Sequence, residues 1–272
     1  MHPVNTCVGG FYRWPDVEAI RNLIPELEWA LEASKETVRF ATSLAYPEFE
    51  MDYEFVALTR PDEYAIYDGD ILSSTGKKIT PEVFENSYIE SHVQHSNALH
   101  SHTSDGSSYF VGPLARLNLN FDQLRPASRQ AAEQAGVSLP LRNPFKNLLA
   151  RAIELVEVCD VAIELCRSYQ PTGPSHAAIQ LKHGEGAGVS EAPRGLLYHR
   201  YIVDDTGKIR FARITPPTAQ NFAQMEADLW QYAPQVIDLP HEEASLACEH
   251  LVRSYDPCIS CATHFLKLTI DR

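Results

Sequence analysis

Three features are scarce or absent in this chain of 272 residues: positive charge, long apolar runs, and a second pair of closely spaced cysteines. Lys and Arg number 23 against 36 Asp and Glu, and the resulting net charge of −13 argues against a nucleic-acid-binding surface. No apolar stretch approaches the roughly 18 residues that a membrane-spanning helix needs. Met1 is followed by neither a basic nor an apolar leader segment. The six cysteines are mostly scattered, which is not the pattern of a disulfide framework. We therefore expect a cytoplasmic protein without a membrane span.

The hydrophobic content of 44% is enough for a sizeable core, and the apolar periodicity predicts a mainly helical α+β fold. Helices are predicted at 16–44 (with a kink at Pro25), 144–169, 221–232 and 242–255. Short strands are predicted at 55–58, 64–67 and 70–72, and a hairpin at 196–214. Residues 91–108 are predicted to be a polar loop. No repeat or linker divides the chain, so we expect 1–272 to belong to one domain with a core of long helices and small β hairpins.

The most informative segment is Asp256-Pro-Cys-Ile-Ser-Cys-Ala-Thr-His264. The thiolates of Cys258 and Cys261, three residues apart, can bind one soft or borderline metal ion from the same side, and His264 offers a third donor. A metal held entirely by protein normally has about four ligands, so this is half of a site. The residues alone leave open a zinc site, a redox dithiol and a buried reduced pair. A c-type haem site is excluded because it needs His directly after the second Cys.

The same nonapeptide resembles the C-terminal signature of the large subunit of nickel-iron hydrogenases. Further segments resemble that family in the same order, and they are 2–5 with 9–13, 111–118 and 191–195. The likeness is greatest to the cytoplasmic, bidirectional branch linked to NAD(P) or viologen, through 194–199 and 258–266. It extends over essentially the whole chain, so it also implies the fold of that large subunit.

The resemblance implies a centre in which four thiolates hold nickel, and an iron with cyanide and carbon monoxide ligands shares two of them. Cys258 would be a terminal nickel ligand, Cys261 would bridge nickel and iron, and His264 would bind a structural magnesium ion. Arg194 would lie over the open side of the metals and pair with Asp256, both as catalytic residues.

By the same resemblance, Pro193 and Thr218 would lie against the iron's diatomic ligands, in a segment that includes Asn221. From the residues alone, Thr218 is equally well suited to be the N-cap of the following helix. The implied activity is reversible heterolytic cleavage of H2. Electrons would pass to an iron-sulfur small subunit and on to NAD(P)- or flavin-binding subunits.

That family holds nickel with two Cys-x-x-Cys pairs, whereas this chain has one, and Cys7 is single in a Gly-rich turn. We therefore expect 1–272 to be the C-terminal portion of a large-subunit domain, as a fragment or as half of a split subunit. Residues 265–272 match an extension that a maturation endopeptidase removes, or else a short edge strand. The alternative function is a non-catalytic remnant unable to bind nickel. The related quinone-reductase subunit of complex I shares the fold but lacks these cysteines.

Other motifs have ordinary interpretations. His92, His95, His100 and His102 are irregularly spaced in the predicted polar loop, and we do not expect them to bind a metal. The glycines at 184–188 are expected to form a flexible loop and not a dinucleotide fingerprint, because no strand-to-helix context surrounds them. Cys159 and Cys166 lie about 10 Å apart along the predicted helix and are expected to be core thiols. Because core elements are missing, we also expect the isolated chain to be unstable or to aggregate.

Overall fold

The computed structural model describes residues 7–258, which form eight α-helices and nine β-strands. The helices are α1 (Val17–Arg21), α2 (Ile24–Ser43), α3 (Phe84–Ser87), α4 (Pro113–Asn120), α5 (Pro126–Gln134), α6 (Asn147–Ser168), α7 (Pro217–Val236) and α8 (His241–Ser254). The strands are β1 (Phe55–Thr59), β2 (Asp70–Ser73), β3 (Lys78–Ile79), β4 (Tyr88–His92), β5 (Leu99–Thr103), β6 (Phe110–Val111), β7 (Gly184–Ala192), β8 (Gly195–Val203) and β9 (Ile209–Thr215). The α+β class is confirmed. Segments 2–5 and 265–272, with Cys261 and His264, lie outside the described residues.

The strands form three small sheets. In the first, the order is β3-β2-β1-β6, with β1 antiparallel to β2 and parallel to β6. The second is the β4–β5 hairpin, and the third is the antiparallel meander β7-β8-β9. The turn between β7 and β8 consists of only Pro193 and Arg194, because Ala192 pairs directly with Gly195. This turn is therefore held at both ends by strand pairing.

The core has three parts. Helices α2, α4, α5 and α6 bury the largest apolar cluster, in which small residues such as Ala41 and Ala152 let α2 and α6 pack closely. A second cluster lies among the four-stranded sheet, the meander and nearby elements, with Leu58, Ile71 and Leu196 fully buried. Full burial of one such side chain stabilises the fold by about 1.5–3 kcal/mol. A third cluster joins α7 and α8. The candidate site lies where β7, α7 and the end of α8 meet.

The predicted helices at 144–169, 221–232 and 242–255 are confirmed, and α7 begins earlier than predicted, at Pro217. The single helix predicted over 16–44 is wrong, because α1 and α2 are separated at Asn22 and Leu23. Asp16 caps α1 by accepting the Ala19 N–H at 2.8 Å. Pro25 stands in the first turn of α2, where its missing N–H removes no helical hydrogen bond and causes no kink.

Three loop and strand predictions are wrong. Residues 91–108, predicted to be a polar loop, include β5, which forms a hairpin with β4 despite its polar sequence. The glycines at 184–188 belong to β7, since nine consecutive residues pair with β8. Segment 64–67 is not a strand, although Tyr64 and Ala65 are buried by tertiary packing. No helix within 7–258 is both long enough and apolar enough to cross a membrane.

Candidate metal centre

The end of α8 places the first residues of the cysteine motif. Tyr255, which is buried, stacks on Phe110 with ring centroids 4.7 Å apart, and its hydroxyl donates to Asp228 at 2.6 Å. The next residue, Asp256, has φ +52°, the left-handed conformation that Asp tolerates better than most residues. Two residues later the Cys258 N–H lies 3.4 Å from the Thr218 hydroxyl oxygen. The chain thus turns sharply after the helix, and Cys258, half-buried, lies against the start of α7.

Arg194 reaches Asp256 from the β7–β8 turn. Its Nε donates to the Asp256 backbone carbonyl at 2.6 Å, and the same nitrogen is 3.2 Å from the carboxylate. Arg151 of α6 contacts the same carboxylate oxygen, Oδ2, with its Nη1 at 3.3 Å. The Arg194 and Asp256 side chains are 40% and 38% exposed, so this pair contributes at most about 1 kcal/mol. The Arg194 guanidinium is therefore oriented by Asp256 but only weakly held.

A buried arginine holds the turn that carries Arg194. All five N–H groups of Arg116 are used, which is its full donor capacity. Nε and Nη2 donate to the Glu154 carboxylate at 2.6 and 2.7 Å, and Nη1 donates to Glu191 at 2.8 Å. The remaining two donate to the carbonyls of Ala192 and Pro193, each at 3.0 Å. The backbone entering Arg194 is thereby fixed from inside the protein.

The carboxylates around Arg116 are almost as buried as the arginine. The Glu191 side chain is 2% exposed and also accepts the Leu58 N–H at 2.8 Å. Burial raises the pKa of Glu191, and the charge of Arg116 opposes that rise. Glu154 accepts a further hydrogen bond from the Tyr64 hydroxyl at 2.7 Å. Arg116 with two acidic partners thus forms a satisfied ionic network directly beneath the turn.

Two glycines allow the β7–β8 turn to approach the start of α4. A Cβ on Gly112 would lie 2.7 Å from the Arg194 carbonyl, and a Cβ on Gly195 would lie 2.7 Å from Val111. Both glycines have positive φ, +116° and +137°, so no other residue fits easily. Asn221 of α7 accepts the Val111 N–H and donates to its carbonyl, both at 2.9 Å. These contacts connect the 111–113, 193–195 and 217–221 segments in one place.

Five of the seven residues expected at the site lie within the described part of the chain. The structure brings together Arg194 with Asp256 and Cys258 with Thr218. Pro193 is exposed at the same turn, with its carbonyl bound to Arg116. The alternative that Thr218 is an N-cap is wrong, because the N-cap position of α7 is Pro216 and Thr218 lies inside the helix. Cys261 and His264 lie outside the described residues.

Sequence reasoning missed the residues that position the site. Arg116 and Asn221 were noticed only within segments resembling the family, and Glu154 and Arg151 were not noticed at all. The available signal was weak. Arg151 and Glu154 are two of several charged residues in α6, and only the tertiary fold reveals that they contact Asp256 and Arg116. Next to them a cleft of about 560 Å³ opens between α2 and α6, with mostly apolar walls that include Phe40 and Leu155.

Comparison with known proteins decides which family has this arrangement. The family model for nickel-dependent hydrogenases matches residues 63–264. The chain belongs to the nickel-dependent hydrogenase family. Sulfhydrogenase 1 subunit alpha of Pyrococcus furiosus is 33% identical over 272 residues, covering 98% of this chain and 63% of the relative. The beta subunit of the NAD-reducing hydrogenase HoxS of Cupriavidus necator is 35% identical over 170 residues, covering 57% of this chain and 34% of that subunit.

A solved structure gives the same result for the fold. An NAD⁺-reducing [NiFe]-hydrogenase in its H2-reduced state matches with a TM-score of 0.73 and 26% identity. The match covers 94% of this chain and 62% of that chain. The resemblance to a hydrogenase large subunit is therefore confirmed. The chain spans a little under two thirds of the length of these longer matches.

Proposed function

We propose that this chain provides part of the catalytic large subunit of a nickel-iron hydrogenase, which cleaves H2 reversibly and heterolytically into protons and electrons. The observation that carries the proposal is the contact of Arg194 with Asp256, two residues before Cys258. It joins a permanent positive charge to a carboxylate that is two residues along the chain from a thiol suited to soft metals.

The donor set fits half of a nickel-iron centre. Cys258 and Cys261 would hold the nickel and the iron, because thiolates suit both metals. Pro193 and Thr218 would lie beside the carbon monoxide and cyanide ligands of the iron, and His264 would bind magnesium. The sequence contains no second Cys-x-x-Cys, so the remaining thiolates would come from polypeptide outside these 272 residues. When bound, the centre supplies the polarisation that splits H2.

We propose that the protein itself contributes to the reaction mainly through Arg194. Asp256 engages Nε and Nη2 of its guanidinium, and no other partner of that group is found within 7–258. The other N–H groups can therefore point towards the open side of Cys258, where they would stabilise a proton moving to or from a thiolate. Asp256, which is also paired with Arg151, would keep the guanidinium in that orientation.

The partners follow from the same proposal. Electrons would leave through an iron-sulfur small subunit and reach NAD(P) through flavin-containing subunits, in the cytoplasm. A maturation endopeptidase would remove 265–272. The support is the similarity to a subunit of an NAD-reducing hydrogenase, together with the resemblance of segments 194–199 and 258–266 to that branch.

The test is metal content and H2-dependent viologen reduction of the native assembly containing this chain. We expect nickel and iron, and infrared bands of carbon monoxide and cyanide. Cys258→Ser should lose nickel, while Cys166→Ala, a buried cysteine in α6, should retain it. Arg194→Lys should retain the metals and lose most of its kcat. Nickel retention in Cys258→Ser would contradict the proposed ligand.

The second candidate function is a non-catalytic remnant that packs with partner proteins. It is favoured by the single Cys-x-x-Cys pair, which supplies two thiolates where four are needed. The intact mass of the native chain separates the two. A mass of 30.5 kDa with no nickel anywhere in the assembly would support the remnant, and a nickel-containing assembly would exclude it.

A further inference from the structure

A second cluster of metal-binding side chains lies where the β4–β5 hairpin packs on α7. It consists of His95 in the hairpin loop, His100 in β5 and Glu226 in α7, and one ligand atom from each lies within 4.8 Å of the others. His95 Nε2 is 2.6 Å from one carboxylate oxygen of Glu226, and His100 Nδ1 is 3.7 Å from the other. Glu226 is eight residues after Thr218 in α7, about 12 Å along the helix axis, so the cluster is separate from the cysteine motif.

His100 is the unusual member of this cluster. Its side chain is 2% exposed, and Nε2 is buried without a hydrogen-bond partner within the described residues. The 3.7 Å separation of Nδ1 from Glu226 is too long for a hydrogen bond. A buried nitrogen without a partner normally costs about 1–3 kcal/mol. Nδ1 is the ring nitrogen that faces Glu226, so an ion in this cluster would be bound through Nδ1 and not through Nε2.

The His100 ring is also held in a fixed orientation. It stacks on Phe222 with centroids 5.2 Å apart and planes at 12°, and the His95 ring meets it edge-on at 5.8 Å. One ligand is thus rigid and buried, while His95 and Glu226 are 65% and 46% exposed at the surface. A rigid ligand at the base of a site and two mobile ligands at its rim give an ion a route of entry.

We propose that His95, His100 and Glu226 bind one divalent metal ion of the Zn²⁺ type. Two imidazoles and a carboxylate are a common protein ligand set for zinc, and water would occupy the fourth position. Ligand atoms about 2.0–2.1 Å from a tetrahedral ion are about 3.3 Å apart, a spacing compatible with this cluster. To reach that spacing, the His95–Glu226 contact must widen by less than 1 Å and the His100–Glu226 separation must shorten slightly. The His95 and Glu226 side chains are exposed and have room to make both adjustments.

The test is the zinc stoichiometry and zinc affinity of the full chain in its purified assembly. Since Cys258 and Cys261 can also bind zinc, the result is read as a difference between variants. His95→Ala and Glu226→Gln change exposed side chains and are expected to fold. Each should lower the zinc bound per chain by one, or weaken that site by at least about tenfold. His92→Ala, at an exposed histidine of the same hairpin outside the cluster, is the matched control and should bind as the wild type does.

The shift in Tm on adding zinc is a second measurement, and it distinguishes loss of the site from a folding defect. Zinc should raise the Tm of the wild type and of His92→Ala more than that of His95→Ala, because binding to the folded state stabilises it. Equal zinc stoichiometry and equal Tm shifts in all four proteins would overturn the proposal. The cluster would then be a hydrogen-bonded pair of His95 and Glu226 beside His100, which is buried and stacked on Phe222.

Discussion

Replacing Arg116 with Met is the sharpest test of how the site is held in place. The substitution keeps the volume roughly constant but removes five N–H donors and one positive charge from a position that is 5% exposed. Glu191 and Glu154, with side chains 2% and 12% exposed, would then lack their charge partner. Removing one member of a buried ion pair costs about 3–5 kcal/mol, because the opposite charge stays buried and unpaired. For a chain of this size that corresponds to a fall in Tm of about 6–20 °C.

The assay is thermal or denaturant unfolding of the purified assembly, at two pH values. Burial already raises the pKa of Glu191 above its ordinary value, and loss of Arg116 would raise it further. A carboxyl with a raised folded-state pKa binds more protons when folded, so the variant's stability should fall as the pH rises through that pKa. The deficit relative to wild type should therefore be smaller at pH 5 than at pH 8.

Two further variants show whether the reasoning is correct. Arg116→Lys keeps the charge but offers three donors, so an intermediate loss is expected. Arg39→Met, on the exposed face of α2 where Arg39 pairs with its helical neighbour Glu36, should leave Tm unchanged. A Tm for Arg116→Met within about 1 °C of wild type at pH 8 would refute the view that this network carries an uncompensated charge once Arg116 is lost.

Three other outcomes are expected. Gly195→Ala should lower the unfolding free energy measured by denaturant titration by about 1–3 kcal/mol, because the new Cβ would lie 2.7 Å from Val111 and φ is +137°. Gly186→Ala, where the Cβ would enter open space, is the control and should have little effect. Burial raises the pKa of Asp228, so its ionisation removes stability as the pH rises above the ordinary value of 3.8. Asp228→Asn should therefore flatten the pH dependence of the unfolding free energy, measured by unfolding at several pH values. Phe40→Ser should increase the soluble fraction of the chain expressed without partners, because this 65% exposed ring lines an apolar cleft; an unchanged fraction in a sedimentation assay would contradict that role.

The long helices were predictable because each buries one face, and the apolar residues of that face recur in the sequence at helical spacing. Helices α6, α7 and α8 follow this rule. The β4–β5 hairpin was not predictable, because its strands are rich in His and Ser and bury only Tyr88, His100 and Ser101. Strand β7 begins with glycines, which have low strand propensity, and it forms because β8 supplies a complete pairing partner.

The site was predictable only where residues adjacent in sequence carry a motif. Segments 193–195 and 256–258 were found in that way, and the structure places Arg194 against Asp256. The supporting residues are distant in sequence from these motifs. Arg116, Glu154 and Glu191 meet across separations of 38 and 75 residues, and nothing in the spacing of three charged residues indicates such a network. Pairings of this kind depend on the tertiary fold, which a single sequence does not reveal.

The two arginines at the site differ in a way that divides the work between them. Arg116 is buried and uses every donor, and it cannot leave its partners without stranding a buried carboxylate, which costs about 3–5 kcal/mol. Arg194 is 40% exposed and paired with a half-exposed carboxylate, so its guanidinium can give up one contact at little cost. In the proposed function, Arg194 must be held at a fixed position by the turn and must also keep N–H groups available to a proton on a thiolate. A change at Arg116 should therefore displace the site, whereas a change at Arg194 should leave its structure intact and alter the chemistry.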